Sequence, residues 1–292
     1  MGQTIALVSD LNGRYGSTTY DSRVSKAVST IIALNPLLVI STGDMVAGQK
    51  QPQLDGPHLD RMWQGFNQHV TDPLAKAEIP LAVTPGNHDG SGYPQFELEQ
   101  VHFSKQWQER YAGLEILPGS EWPRRYAARL NDFLLISFDG TKPGTLPEQE
   151  LDFVANMLEK HRPSAKAVIV FSHLPMWPLA RGREHEILDD SALLDLLHRF
   201  DVDVYASGHH HLFYPGVDEG GMIHLGIGAL GGNARAFSGS ATRQPHSFAV
   251  LQFEDGALRV KAFSAPAFAS EIERAGLPPE IKGSLGTLKR LD

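Results

Sequence analysis

The sequence predicts an α/β (α+β) chain in which two β-sheets pack face to face with helices outside. Three observations carry this. The first half alternates short apolar runs with stretches of helical periodicity. The second half shifts to closely spaced strand-like runs. Apolar residues make up 41% of the 292 positions, enough to fill a buried core.

The elements follow in order. Thr4–Ser9 is a short apolar run and reads as the first strand. Asp21–Leu34 reads as a helix because Val24, Ala27, Val28, Ile31 and Ile32 recur at i, i+3/i+4 spacing. Leu37–Ser41 and Leu81–Thr84 are further buried strands, and Leu59–Lys76 between them is helical in pattern. Arg125–Leu130 and Phe133–Phe138 read as antiparallel neighbours turned by Asn131-Asp132. Pro147–His161 is a helix with Pro at its start and Leu151, Val154 and Leu158 on one face. Ala167–Phe171 is a strand, Ser191–Phe200 a helix and Val204–Ser207 a strand. Met222–Leu225, Ser247–Phe253 and Leu258–Ala262 complete the set. Residues 1–263 are taken as one domain. Residues 264–292, rich in Pro, Ala and Gly, are taken as a tail packed on it, with no assigned elements.

Charge and composition exclude several classes. A charged fraction of 21% without long like-charge runs argues against disorder. A net charge of -8 disfavours a protein that grips an extended nucleic acid, though not one that binds a small phosphorylated substrate at a local cationic site. There is no cysteine, so any transition-metal site must be built from His, Asp, Glu and Asn. No apolar run is long enough to cross a bilayer. Ile5–Val8 runs straight into Asp10, which reads as a strand and not as a signal peptide. The default expectation is therefore cytoplasmic; a leader once preceding Met1-Gly2 would make the chain periplasmic or secreted. Oligomeric state is not readable.

The chemistry-bearing residues stand just beyond the apolar strands. Asp10 follows the first, Asp44 the second, and Asn87-His88-Asp89 the third. His173 follows Val168–Phe171, and His209-His210-His211 follows Val204–Ser207. The carboxyl ends of strands in an α/β sheet line one crevice, so these residues converge on one site. Each alone has a plainer reading. Asp10 could be turn chemistry, Asp44 a helix cap, Asn87 a left-handed turn residue and His173 a satisfied core histidine. The His triplet is harder to dismiss, since His209 and His211 point the same way in an extended stretch. Recurrence of the whole set in order favours a metal site.

Asp10, Gly43-Asp44, Gly86-Asn87-His88-Asp89, His173 and Gly208-His209-His210-His211 resemble the signature of the calcineurin-like metallophosphoesterase superfamily. The resemblance spans Asp10 to His211, and its Gly-Asn-His-Asp and Gly-His-x-His elements are highly specific. It implies a four-layer α/β/β/α sandwich of two mixed β-sheets flanked by helices, and two divalent metal ions. By the same resemblance, Asp44 bridges both metals, Asp10 and His211 hold the first, and Asn87, His173 and His209 hold the second. His88 contacts phosphate and protonates the leaving oxygen, Asp89 orients His88, and His210 points away. The family usually carries His where this chain has Asn12. An amide oxygen is a harder, weaker ligand than imidazole, so the expected metal is Mn²⁺, with Fe or Zn as alternatives.

The implied function is hydrolysis of a phosphate ester by metal-activated water, a phosphodiester in preference to a monoester. With Asp10 and Asp44 as the only anionic ligands, two divalent ions leave the site net positive and able to draw in phosphate. Histidine suits the acid role because its ordinary pKa lies near neutrality. Arg14, Arg181, Arg183 and Arg235 are candidate phosphate clamps, Arg14 foremost. Two rivals stand: a metal-binding scaffold with weak catalysis, motivated by Asn12, and a two-metal hydrolase of something other than phosphate. Gly226–Gly231 matches G-x-G-x-x-G, but no helix pattern follows, so it reads as close backbone packing and not as a dinucleotide site. Loops 48–58, 90–102 and 177–185 would select the substrate. Trp177, Tyr15 and Tyr93 could stack on a base, although ordinary loop packing is the plainer reading of each.

Overall fold

The computed structural model describes residues 2–110, 113–254 and 257–292. The strand–helix alternation of the first half builds one sheet. Its strands β1 (Gln3–Val8), β2 (Leu38–Ser41) and β3 (Leu81–Val83) are parallel. The crossovers are α1 (Ser22–Leu34) and a longer helical rod made of α2 (Gly56–Phe66), a π-helical turn over 67–71 and α3 (Asp72–Lys76). Helix α4 (Glu97–Trp107) follows β3.

The chain then enters a second sheet through β4 (Glu115–Ile116), β5 (Tyr126–Leu130) and β6 (Phe133–Ser137). Asn131 takes a φ of 52° in the two-residue turn between β5 and β6. After α5 (Glu148–His161) comes β7 (Ala167–Phe171), and after α6 (Ser191–Arg199) come β8 (Val204–Ser207), β9 (Tyr214–Val217) and β10 (Ile223–Gly226). Next, β11 (Ser247–Glu254), β12 (Ala257–Ser264) and β13 (Ser270–Glu271) return to the first sheet. The hairpin β14 (Glu280–Gly283) and β15 (Gly286–Arg290) ends in the second.

Sheet orders are β13-β12-β11-β1-β2-β3 and β14-β15-β9-β10-β8-β7-β6-β5-β4. Both are mixed: β1–β3 are parallel and β11 antiparallel to β1, while β6, β7, β8 and β10 are parallel and their flanking strands antiparallel. The segment after 264, unassigned from sequence, therefore adds strands to both sheets.

Period-2 alternation divides the core. Ile5, Leu7, Leu38, Ile40, Ala82, Ala249 and Leu251 share one apolar cluster with the second sheet's strands. Their neighbours Ala6, Val8, Val39, Leu81, Val83, Phe248 and Val250 share another with Val24, Val28 and Ile31 of α1 and Met62, Trp63 and Phe66 of α2. Helices α5 and α6 bury Val154, Leu158, Leu193 and Leu197 against the second sheet. The result is α/β/β/α, two mixed sheets between helical layers. Each fully buried Val, Leu or Ile contributes about 1.5–3 kcal/mol, so a one-residue slip of β1 would exchange its whole set of contacts.

Candidate metal centre

Loops leaving the carboxyl ends of β1, β2, β3, β7 and β8 meet at one place, and strained backbone marks it. Among the described residues, Asp10 (φ 50°), Asp44 (55°), His209 (60°) and His211 (58°) all sit in the left-handed region. Positive φ is uncommon outside glycine and is held only where surroundings over-determine it. The extended conformation expected for His209–His211 is therefore corrected. Both rings still reach the site, aimed by two left-handed residues instead of by strand alternation.

The carboxylates are fixed from behind. Asp10 Oδ2 accepts from Ser9 Oγ (2.6 Å) and from the His209 N–H (3.0 Å). Asp44 Oδ1 accepts from the His88 N–H at 2.8 Å. Gly86 allows this approach, since a Cβ there would lie 2.3 Å from Asp44 Oδ1.

Each imidazole commits one nitrogen to an oxygen that can only accept. His173 Nδ1 donates to Thr42 O (2.8 Å), His209 Nε2 to Glu186 Oε2 (2.6 Å) and His211 Nδ1 to Asn233 O (2.6 Å). In the neutral ring the other nitrogen is then a lone pair. Asn87 Nδ2 donates to Gln49 Oε1 (2.9 Å), which leaves its Oδ1 free to coordinate.

These free atoms face one another. His173 Nε2 lies 2.9 Å from Asn87 Oδ1, 3.2 Å from His209 Nδ1 and 3.4 Å from Asp44 Oδ2. His211 Nε2 lies 2.9 Å from Asp10 Oδ1, a buried oxygen that receives no hydrogen bond. Lone pairs held this close repel unless positive charge lies among them. Asp44, His173 and His209 alone bring three ligand atoms within 4.8 Å of one another. Nitrogen and oxygen donors whose far sides are anchored by oxygens suit a divalent cation.

Titration follows the same field. Burial would raise both aspartates, but His211 holds Asp10 well below the carboxylate range, and His173 and His88 hold Asp44 down at about 2. Burial presses His173 down, yet the Asp44 carboxylate beside it raises it to about 9, so positive charge is favoured at Nε2. Burial lowers His209 to about 4, which keeps its Nδ1 a lone pair at neutral pH. The hydrogen bond from His209 holds Glu186 down at about 2.

Asn12 is buried against the second loop, its N–H donating to Asp44 O (3.1 Å), and its carboxamide makes no hydrogen bond among the described residues. His88 Nδ1 donates to Gly48 O (3.0 Å), leaving Nε2 3.8 Å from Asp44 Oδ2. The expected pairing of Asp89 with His88 is corrected. Asp89 instead accepts from the Gly86 N–H (2.6 Å) and the Met45 N–H (2.5 Å), tying the second and third loops together. Burial and the nearby Asp44 push Asp89 up to about 7 against those two donors.

A cavity of about 290 Å³ opens here, lined by Tyr15, Asp44, Gln49, Asn87, His88, Tyr93, Arg183, Glu186, His209 and Arg235 among others. Larger cavities near Trp107 and Lys166 lie among other residues. Arg14 is exposed and does not line the cavity; Arg183 and Arg235 do. Arg183 pairs with Glu186, whereas Arg235 donates to His209 O and makes no ion pair among the described residues. Trp177 is buried, its Nε1 donating to Gly286 O. His210 turns to the 179–180 backbone, its Nδ1 accepting from Leu179 and Ala180 N–H. A Cβ on Gly231 would lie 1.9 Å from Leu11 O, so the glycine-rich run packs on the first loop.

Glu186, Gln49 and the Asn233 carbonyl anchor His209, Asn87 and His211 and went unforeseen. No spacing rule connects them to their partners, and one acts through its backbone.

The calcineurin-like phosphoesterase family model matches residues 3–213. The chain belongs to that family. No curated protein sequence matches the chain. In fold it is similar to a purple acid phosphatase from yellow lupin (Lupinus luteus) seeds, with a TM-score of 0.68, 15% identity and 90% of this chain covered. It spans only 52% of the lupin protein. A dimetal phosphatase from Danio rerio (TM-score 0.60, 16% identity) is covered over 98% of its length and 92% of this chain. GAP50, the anchor in the inner membrane complex of Plasmodium, superposes at 0.58 with 16% identity over 90% of this chain and 84% of its own. No helix of this calcineurin-like phosphoesterase, among the described residues, is long and apolar enough to cross a membrane.

Proposed function

We propose that the protein is a metal-dependent phosphoric ester hydrolase acting on a small phosphorylated substrate. The observation that carries this is the convergence of nitrogen and oxygen donors, each anchored from behind, around one buried point beside His88. Asp10, Asp44 and His211, with Asn12 adjacent, would hold one divalent ion, and Asp44, Asn87, His173 and His209 a second. Once bound, such ions, Mn²⁺ first with Fe or Zn as alternatives, activate water and neutralise charge on the phosphoryl group.

The remaining work falls to the chain. Because His88 Nδ1 donates to Gly48 O, the proton it can deliver sits on Nε2, on the cavity side, where a leaving oxygen would take it. Arg235 offers a guanidinium to a phosphoryl oxygen. Arg183 is already paired with Glu186. One free guanidinium suits the single charge of a phosphodiester better than the double charge of a monoester, which supports the diester as the preferred substrate.

The test is the ratio of kcat/KM for bis-p-nitrophenyl phosphate over p-nitrophenyl phosphate in Mn²⁺-refilled protein. A ratio above one is expected, and a ratio well below one would reassign the enzyme as a monoesterase.

A second reading, a metal-binding scaffold with weak catalysis, is favoured by Asn12 at a ligand position and by the fold likeness to an anchor protein. Asn12→His separates the two. Activity in the parent supports the hydrolase, and inertness of parent and variant with metal bound supports the scaffold.

A further inference from the structure

The tyrosines among the described residues fall into two groups. Tyr20, Tyr126, Tyr205 and Tyr214 each donate a hydroxyl hydrogen bond to a backbone carbonyl, of Met45, Val83, Leu174 and Leu288. Tyr15 and Tyr93 make no such bond, stand 59% and 38% exposed, and line the cavity that contains Asn87 and His88. Neither hydroxyl is tied to the backbone as the other four are. A large ring left in water at a cavity mouth forgoes burial and presents a π-face to whatever enters.

Position gives the two rings a use. The Tyr15 ring centroid lies 5.0 Å from that of His88, so with His88 as the acid Tyr15 would border the departing oxygen. The Tyr93 ring is steadied by Lys142, whose Nζ lies 5.7 Å from its centroid. Arg235, next to His209, supplies positive charge to the same cavity.

We infer that the site selects phosphoesters whose leaving group carries a planar aromatic ring, stacked on Tyr15 beside His88, with Tyr93 as a second aromatic surface. The inference rests on the hydrolase reading above and on His88 as the proton donor. The bond from phosphorus to the aromatic-bearing oxygen breaks, water supplies the new oxygen on phosphorus, and the leaving oxygen takes the His88 proton; one proton of that water restores His88 and the other stays with the phosphate product. A nucleobase and a simple aryl ring share this chemistry.

The experiment is calorimetric titration of Mn²⁺-loaded protein with three non-hydrolysable probes. These are phenylphosphonate, cyclohexylphosphonate of nearly equal size, and the methylenephosphonate analogue of adenosine 5′-phosphate. Stacking predicts that the phenyl probe binds about tenfold tighter than the cyclohexyl one. The ratio should fall to within about twofold in the Tyr15→Ala/Tyr93→Ala double variant and persist in Tyr15→Phe/Tyr93→Phe. An adenosine probe tighter than phenylphosphonate identifies a nucleobase as the ring, and a weaker one identifies an aryl group. A parent ratio near one, or a ratio that survives in the double alanine variant, overturns the inference. Because binding is read without turnover, a parent that prefers the phenyl probe yet hydrolyses no phosphoester overturns the hydrolase reading and leaves the aromatic surface standing. A hydrolase without phenyl preference overturns only the stacking.

Discussion

Glu186 shows how much of the site depends on residues that would touch no metal. Its carboxylate fixes the His209 ring through Nε2 and is shared with Arg183. Glu186→Ala should weaken divalent-ion binding by about 10–100-fold, the usual effect of losing an outer partner of a ligand histidine. Calorimetric Mn²⁺ titration reads this, and unchanged affinity would remove Glu186 from the account. His173 supplies the pH dependence. Its folded value of about 9 lies above the ordinary 6.5, so metal-free protein holds a proton there that a cation must displace. Affinity should rise about tenfold per pH unit up to about pH 9 and then level off. By the same linkage, this proton stabilises metal-free protein fully below pH 6.5, and that contribution is lost as pH rises through about 9. Titration in buffers of different ionisation enthalpy at pH 7.5 should show about one proton released; none released would contradict the assignment. At this scale, the gathering of Asp10, Asp44, Asn87, His173, His209 and His211 was legible because strand ends share a crevice. The partners of Asp89 were not, because two backbone amides leave no mark in a side-chain pattern.

Elements were legible where apolar periodicity was clean. Helix α1 buries Val24, Ala27, Val28 and Ile31 and is capped by Asp21, whose side chain accepts from the Arg23 N–H. Helix α4 was not, since Leu98 and Val101 point outward while Glu99 is buried, which blurs its apolar face. Strand β9 was missed because Pro215-Gly216 reads as a turn, although both residues pair with β10. Caps carry measurable stability. Asp190 is buried, caps α6 through the Leu193 N–H (3.0 Å) and also accepts from the Leu146 N–H (2.8 Å). Asp190→Ala should cost about 2–4 kcal/mol, a lost cap plus an orphaned buried amide. Urea unfolding measures it, and a loss below about 0.5 kcal/mol would show that water replaces the carboxylate.

For the whole molecule, two sheets sharing one core set the crevice, and the last residues cover an edge of the second sheet. The β14–β15 hairpin covers the β9 edge of the second sheet and buries Ile281 and Leu288. Deleting residues 278–292 should expose that edge, lower Tm and promote association, visible by light scattering; a monodisperse truncated protein with unchanged Tm would contradict this. The two-sheet plan was readable from the change of rhythm near residue 125. The return of residues 264–292 to both sheets was not, because short strands among Pro and Gly carry little pattern. An overall charge of -8 is compatible with a site that would take phosphate, since the local field near Arg235 and of any cations held there would decide what enters.

On the proposed function, these donors hold metal for phosphoester hydrolysis and His88 is the acid. Hydrolysis of bis-p-nitrophenyl phosphate by metal-stripped protein, by the same protein refilled with Mn²⁺, and by refilled His88→Ala tests it most directly. Expected are no turnover without metal, turnover on refilling, and a loss of about 10²–10⁴-fold in the variant. Turnover that is indifferent to metal, or equal in parent and variant, would contradict it.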